Sequence, residues 1–193
     1  MTRLFSLLRN RTKVDFTYYK PSTIIRRVER RIAVTQSDDL DAYVRYAEQN
    51  PAELMALYRE LLIGVTSFFR DPEVMDVLRE KVLPELISKY DHHELRFWVA
   101  GCSTGEEAYT LAILCRETME DLGVSRNIKI FATDIDRDAI AKAGVGAYPE
   151  SIAADLSASL LAKYSIAAET SIRLPVTFVR WWCLRSITLS RIP

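Results

Sequence analysis

Over the first 90 residues, apolar side chains recur three and four positions apart; after residue 94 they bunch into short runs. The first rhythm is that of helices with one buried face, the second that of strands buried on both faces. Leu4, Phe5, Leu7 and Leu8 predict a short first helix. Lys20-Pro21-Ser22-Thr23 breaks the chain, and Ile24, Val28 and Ile32 then share one helical face. Ser37-Asp38-Asp39 opens a third helix, with Leu40, Tyr43, Val44 and Ala47 on its apolar stripe. Asn50-Pro51-Ala52-Glu53 reads as a start signal: a capping side chain, Pro at the first helical position, an acid at the third. Leu54, Leu57, Tyr58, Leu61 and Leu62 follow, and Gly64 stops the helix. Asp71-Pro72-Glu73 starts another, running through Val74, Val77, Leu78 and Val82.

Leu95 to Ala100 and Ile128 to Ala132 are strand candidates, the second closing on Thr133-Asp134-Ile135-Asp136. Glu106 to Glu120 is the helix between them, and Asp138 to Ala143 begins the next. Strand, helix, strand and helix with short connections predict a parallel sheet. The expected fold is α/β: an all-helical N-terminal domain over residues 1–90, then the first part of a doubly wound, Rossmann-like domain over 91–165. The boundary is expected in the polar stretch 88–94, where His92 and His93 read as solvated linker residues. From Thr170 to Pro193 there are four Arg, no Asp or Glu, a Trp181-Trp182 pair and no clear period. Residues 166–193 are therefore read as a divergent tail beyond a sheet of only two strands.

Composition narrows the setting. The chain has 193 residues, 49% of them hydrophobic, enough for a real core. Lys plus Arg equal Asp plus Glu at 26 each, so bulk charge gives no reason to expect nucleic acid. No apolar run approaches the ~20 residues of a membrane span. Cys102, Cys115 and Cys183 have neither metal-ligand nor disulfide-framework spacing. Together these features predict a soluble, cytoplasmic protein.

The chemistry concentrates at Gly101-Cys102-Ser103-Thr104-Gly105. A glycine turn from strand to helix exposes backbone N–H groups and would suit an anion. Yet Glu106 and Glu107 follow at once, and no Lys stands where a phosphate-binding loop requires one. Asp134 closes the second strand, where an acid accepts hydrogen bonds from ribose hydroxyls. A nucleoside without a phosphate beside the turn is predicted, and S-adenosylmethionine, with its sulfonium and ammonium, fits. Gly101 then lets the backbone approach, and Glu106 meets positive charge or hydroxyls. The plainer alternative is an ordinary tight turn, with first-turn acids favoured by the helix dipole and Asp134 as a helix cap, a role Asp136 can also fill.

Three blocks, GVTSFFRDPE, VAGCSTGEEAYTLA and IFATDIDRDAI, resemble in order and spacing the chemotaxis receptor glutamate methyltransferases, the CheR family. KPSTIIRRVERR and AYPESIAADLS add to the likeness, which is greatest to versions fused to the chemotaxis methylesterase and covers about residues 5–160. The resemblance implies S-adenosylmethionine as cofactor, methyl-ester formation on receptor glutamates, a role in chemotactic signal transduction, and a small β-subdomain inserted in the methyltransferase domain. Thr66 and Arg70 match family positions beside the cofactor, and Glu106 and Asp134 match positions that hold it. Gly64 stands where some members have Asn.

Arg70 is the expected catalytic residue, orienting a carboxylate of cofactor or substrate by bidentate pairing. Arg26, Arg27, Arg30 and Arg31, on the polar side of the second helix, are expected to dock the acidic cytoplasmic helices of receptors; the alternative is a solvated face. The likeness fades near residue 165, so a truncated chain, frameshifted beyond that point, is expected. This leaves a second function open: a non-catalytic remnant that keeps receptor docking and half a cofactor cleft. An unrelated nucleotide-binding module is the third.

Overall fold

The structure, a computed structural model, describes residues 1–62, 64–90, 94–168, 171–174 and 179–183. The chain divides into two units, Met1–Ile63 and Gly64–Pro193. The first is helical: α1 (Thr2–Thr12), α2 (Pro21–Thr35), α3 (Leu40–Gln49) and α4 (Pro51–Leu61). Its core joins Leu4 and Leu8 of α1, Ile24 and Val28 of α2, Tyr43, Val44 and Ala47 of α3, and Leu54, Leu57, Tyr58 and Leu61 of α4. These are the apolar stripes that the 3.6-residue period marks.

The caps are uneven. Asp39 caps α3 by accepting from the Ala42 N–H at 2.7 Å. Asn50 precedes Pro51 as expected but makes no capping bond. Its side-chain amide instead donates to the Tyr46 carbonyl at 2.8 Å. Glu53, expected as a first-turn acid, is buried and paired with Arg31.

The second unit begins with a strap, residues 64–71, and a helical run of α5 (Pro72–Val77), a π-helical segment (Leu78–Val82) and α6 (Leu83–Lys89). Pro84, which has no N–H to give, stands two residues beyond the end of the wide π turn. Next come β1 (Leu95–Ala100), α7 (Glu106–Asp121), β2 (Ile128–Asp134) and α8 (Arg137–Val145). A second strand group follows: β3 (Ala147–Tyr148), a 3-10 turn (Glu150–Ala154), α9 (Ala158–Tyr164), β4 (Ile166–Ala168) and β5 (Ser171–Arg173). Last is β6 (Val179–Cys183).

Two expectations are corrected. The domain boundary lies at 63/64, not near residue 90, because Leu83 and Ile87 of α6 are buried in one core with Leu95, Val99, Ile128, Ile130 and Ala132 of the sheet. The helical rhythm in the sequence runs from Pro72 to Val82, and it carries no information about which core the continuation in α6 joins. The stretch 166–193 is not uniformly a tail either. β6 pairs in parallel with β2, giving the order β1-β2-β6 and a third strand. β5 pairs antiparallel with both β3 and β4 in a separate small sheet. Residues 184–193, with His92 and His93, lie outside the described residues.

Two cores meet along α7. Ala108, Ala112, Cys115 and Met119, at helical spacing, join the parallel-sheet core. Tyr109 and Ile113 join Phe68, Tyr148, Ile152, Leu156 and Leu174 around the small sheet. A helix with two buried stripes shows little polar face, which is why its period reads so plainly as helix and so poorly as one-sided.

Candidate functional site

The C-terminal ends of β1 and β2 set the site. Gly101 and Cys102 both donate their N–H to the Thr133 carbonyl, at 2.8 and 3.0 Å, so the turn begins stitched to the end of β2. Gly101 has φ 73° and Gly105 φ 102°. A Cβ built on Gly101 would meet no atom within 4 Å, so backbone conformation rather than space requires glycine there. Ser103, between them, is also left-handed at φ 48°.

Asp134 is organised by that turn. Its Oδ2 accepts from the Ser103 N–H at 2.7 Å and its Oδ1 from the Asp136 N–H at 2.8 Å. A carboxylate has about four acceptor positions, so Asp134, half-buried, keeps capacity for further donors. The cap of α8 is Asp136, whose Oδ1 accepts from Asp138 and Ala139. Asp134 is therefore released from the capping role that was its plainer alternative. Glu106, in the first turn of α7, accepts from the Thr104 hydroxyl with both oxygens, at 2.8 and 2.7 Å.

The strap runs past the same end of α7. The Phe69 N–H donates to the Thr110 hydroxyl at 3.1 Å. A Cβ added to Gly64 would fall 2.6 Å from the Ser103 hydroxyl oxygen, so strap and turn lie against each other. Thr66 is half-buried and Arg70 exposed. Arg70 donates to the Val65 carbonyl at 3.0 Å and lies 3.9 Å from the Asp71 carboxylate. No hydrogen bond links Thr66 or Arg70 to Glu106 or Asp134 among the described residues. The turn, Glu106 and Asp134 thus form one bonded group, and Thr66 and Arg70 approach it on a separate segment.

Backbone strain marks the same place. Among the described residues, five non-glycine residues have positive φ. Lys13 and Gln36 are helix C-caps, where that conformation is routine. The other three, Phe69, Asp71 and Ser103, flank Arg70 or sit in the turn. Such conformations persist where the surrounding structure over-determines them, commonly at ligand sites.

Cys102 is no nucleophile. Burial, reinforced by the negative charge of Asp134, pushes its thiol up to about 12. Sequence reasoning missed Ser103 and Thr104, which hold Asp134 and Glu106, and Tyr148, whose phenol reaches the Thr104 carbonyl at 2.7 Å. The turn spacing signals the first two; nothing local signals a bond spanning 44 residues.

This set of groups suits a nucleoside bearing positive charge. A carboxylate with free acceptor positions beside a bare glycine turn accepts a ribose diol. A second carboxylate and the absence of a lysine at the turn disfavour a pyrophosphate. S-adenosylmethionine has the required diol and cationic groups and no phosphate.

Comparison with known proteins gives the same division. Residues 1–62 match the family model described as CheR methyltransferase, all-alpha domain, and residues 64–179 that described as CheR methyltransferase, SAM binding domain. An uncharacterised 104.1 kDa protein of Rhodobacter capsulatus is 44% identical over 84% of this chain and 17% of its own length. A chemotaxis protein methyltransferase of Borreliella burgdorferi is 32% identical over 85% of the chain and 60% of its own length. One of Salmonella typhimurium is 32% identical over 84% and 54%. The chain thus spans less than two thirds of the length of each of these relatives.

Proposed function

Because the chain belongs to the CheR methyltransferase family, with S-adenosylmethionine as its cofactor, we propose that it transfers a methyl group to glutamate side chains of chemotaxis receptors. The observation that carries this reading is Asp134: fixed by the Ser103 N–H, released from capping by Asp136, and still able to accept. S-adenosylmethionine supplies a methyl group on a sulfonium, an electrophile that needs no further activation. Asp134 takes the ribose hydroxyls, and Glu106, steadied by Thr104, meets positive charge or hydroxyls. Thr66 and Arg70 contact the cofactor from the strap, and Arg70 orients a carboxylate.

A substrate glutamate is ionised at neutral pH, with a pKa of about 4.3, so its oxygen would need no general base to take the methyl group as the methyl–sulfur bond breaks and S-adenosylhomocysteine leaves. The protein's contribution is positioning and exclusion of water. The raised thiol of Cys102 agrees with this, since the scheme asks nothing of a protein nucleophile.

Receptor docking falls to α2, with one revision. Arg31 is only 15% exposed, clamped by Glu53 at 2.8 and 2.5 Å and by Glu60 at 3.2 Å, so it is committed to the fold. Arg26 and Arg30 are exposed and Arg27 partly so; these three are the docking candidates.

Calorimetric titration of S-adenosylmethionine and S-adenosylhomocysteine, with Asp134→Ala as control, tests the cofactor half. Methyl-ester formation on a receptor-derived helical peptide tests the substrate half. Binding without ester formation would favour the second reading, a docking protein with a cofactor cleft. Among the described residues its parallel sheet has three strands with β1 at an edge, the observation that keeps this reading in play. No binding by a folded chain would sink the methyltransferase reading.

A further inference from the structure

Tyr148 occupies the two-residue strand β3, opposite Ile172 of β5 in the small antiparallel sheet. Its side chain is almost fully buried, and its ring meets two others edge-on. Phe68 of the strap lies with its centroid 5.0 Å away at 82°, and Tyr109 of α7 5.8 Å away at 90°. Those contacts need only an aromatic ring, and phenylalanine would satisfy them. The hydroxyl makes a contact that phenylalanine could not, donating to the Thr104 carbonyl at 2.7 Å.

Thr104 is the fourth residue of the Gly101–Gly105 turn. Ser103 on one side holds Asp134 through its N–H, Gly105 on the other opens α7, and the Thr104 hydroxyl holds Glu106. Gly101 and Gly105 take positive φ at no steric cost, but Ser103 between them also has φ 48°, a costly conformation that outside contacts must stabilise. The Gly101, Cys102 and Ser103 amides are tied to β2, and the Gly105 amide bonds within the turn, to the Cys102 carbonyl. The Tyr148 bond comes from the opposite partner, the small sheet. Burying a phenol oxygen is costly unless it is bonded, so the pair is either kept or lost as a unit.

We propose that Tyr148 is a positioning residue of the cofactor turn, and that through its bond to Thr104 the β3-β5-β4 sheet and the Asp134–Glu106 site stabilise one another. The cofactor half of this statement rests on the methyltransferase reading; the mechanical half does not. What binds or disturbs the small sheet is then felt at the turn, and cofactor binding tightens the small sheet.

Tyr148→Phe removes one oxygen and leaves the ring packing in place. Tyr164→Phe is the control: it removes an equivalent phenol bond, to Glu117 at 2.6 Å, between α9 and α7. Amide hydrogen exchange in the ligand-free chain should be about five- to tenfold faster at Ser103 and Gly105 in Tyr148→Phe, and unchanged there in Tyr164→Phe. S-adenosylmethionine affinity should fall by about the same factor in Tyr148→Phe alone. In the wild type the cofactor should slow exchange at Tyr148 and Ile172; in Tyr148→Phe that slowing should disappear. Equal effects of both variants, or turn amides unmoved by Tyr148→Phe, would overturn the proposal. A folded wild-type chain that binds no cofactor counts against the methyltransferase reading instead, and the exchange comparison in the free protein then decides the role of Tyr148.

Discussion

Glu53 in the helical unit and Asp134 in the α/β unit are both carboxylates held by two or more donors, and they serve opposite ends. Glu53 is 8% exposed and receives a bidentate Arg31 guanidinium and the Tyr43 hydroxyl. The Glu53 carboxylate, followed by Glu60, keeps the Arg31 charge firmly in place, and burial followed by Glu53 raises the Tyr43 phenol well above its ordinary range. Asp134 is held by two backbone amides, which bring no side-chain charge to neutralise it, and it stays half-exposed. A carboxylate whose donors are cationic side chains is part of the scaffold. One oriented by backbone amides alone keeps its charge and its spare acceptor positions for a ligand.

The largest effect should come from breaking the scaffold pair. Glu53→Ala leaves the Arg31 guanidinium with Glu60 as its one carboxylate partner and the Tyr43 hydroxyl without its acceptor, at a cost of about 2–3 kcal/mol. A denaturant titration would measure it, and cofactor affinity should not move, since Glu53 lies in the other unit. A loss under about 1 kcal/mol, the range of exposed pairs, would show that the clamp is a surface interaction after all.

Asp134→Asn should give the reverse pattern. The side chain keeps its shape but loses its charge and one acceptor oxygen. Charged hydrogen bonds contribute about 1.5–3 kcal/mol, so cofactor affinity should fall about ten- to a hundredfold. Stability should stay within about 1 kcal/mol, because Asn keeps one acceptor oxygen and only one part-buried amide bond is lost. If stability fell as far as in Glu53→Ala, the contrast between the two carboxylates would collapse.

Arg70 comes next. Its side chain is 58% exposed, and its hydrogen bond is to the nearby Val65 carbonyl, so Arg70→Ala should change stability by no more than about 0.5 kcal/mol. Loss of a bidentate carboxylate contact should nevertheless cost about tenfold in cofactor affinity or in ester formation. Arg70→Lys separates the two roles of the side chain, because an ammonium keeps the charge and lacks the planar fork. Unchanged affinity and unchanged turnover in Arg70→Ala would remove Arg70 from the site.

Local patterns made much of this legible. Apolar periodicity located the helical stripes of α1 to α4, both long strands and α7 to within a few residues, because each depends on its own neighbours. The glycine turn and Asp134 were visible because a strand–turn–helix frame places them in one crevice. What escaped depends on distant partners. Arg31 looked like Arg26 and Arg30 because its acceptor lies 22 residues further on. β6 was hidden because Val179-Arg180-Trp181-Trp182-Cys183 neither alternates nor sits between turn signals, and only pairing with β2 makes it a strand. The domain boundary escaped for a related reason: α6 carries an ordinary apolar stripe, and the β-sheet it covers follows it in sequence.

A third carboxylate, Glu117 of α7, lies between the two extremes, and its effect should be the smallest. It accepts from Lys163 at 2.5 Å and from the Tyr164 hydroxyl at 2.6 Å, tying α9 of the small-sheet region to α7. Lys163 also pairs with Glu120. Burial alone would raise the Glu117 carboxyl; the Lys163 and Tyr164 bonds outweigh it and hold it below the usual carboxylate range. A carboxyl lowered by folding adds stability that is fully present above its unfolded pKa, about 4.3, and is lost as pH falls through the folded value. Stability of the wild type should therefore drop more steeply than that of Glu117→Gln on going from pH 5 towards 3, and the two should run parallel above about pH 6. Because Lys163 is well exposed, salt should shrink the difference, whereas the Arg31–Glu53 clamp should resist salt. A salt-insensitive Glu117 would place it with Glu53, in the scaffold, and would mean that cationic partners rather than burial decide which carboxylates hold this fold together.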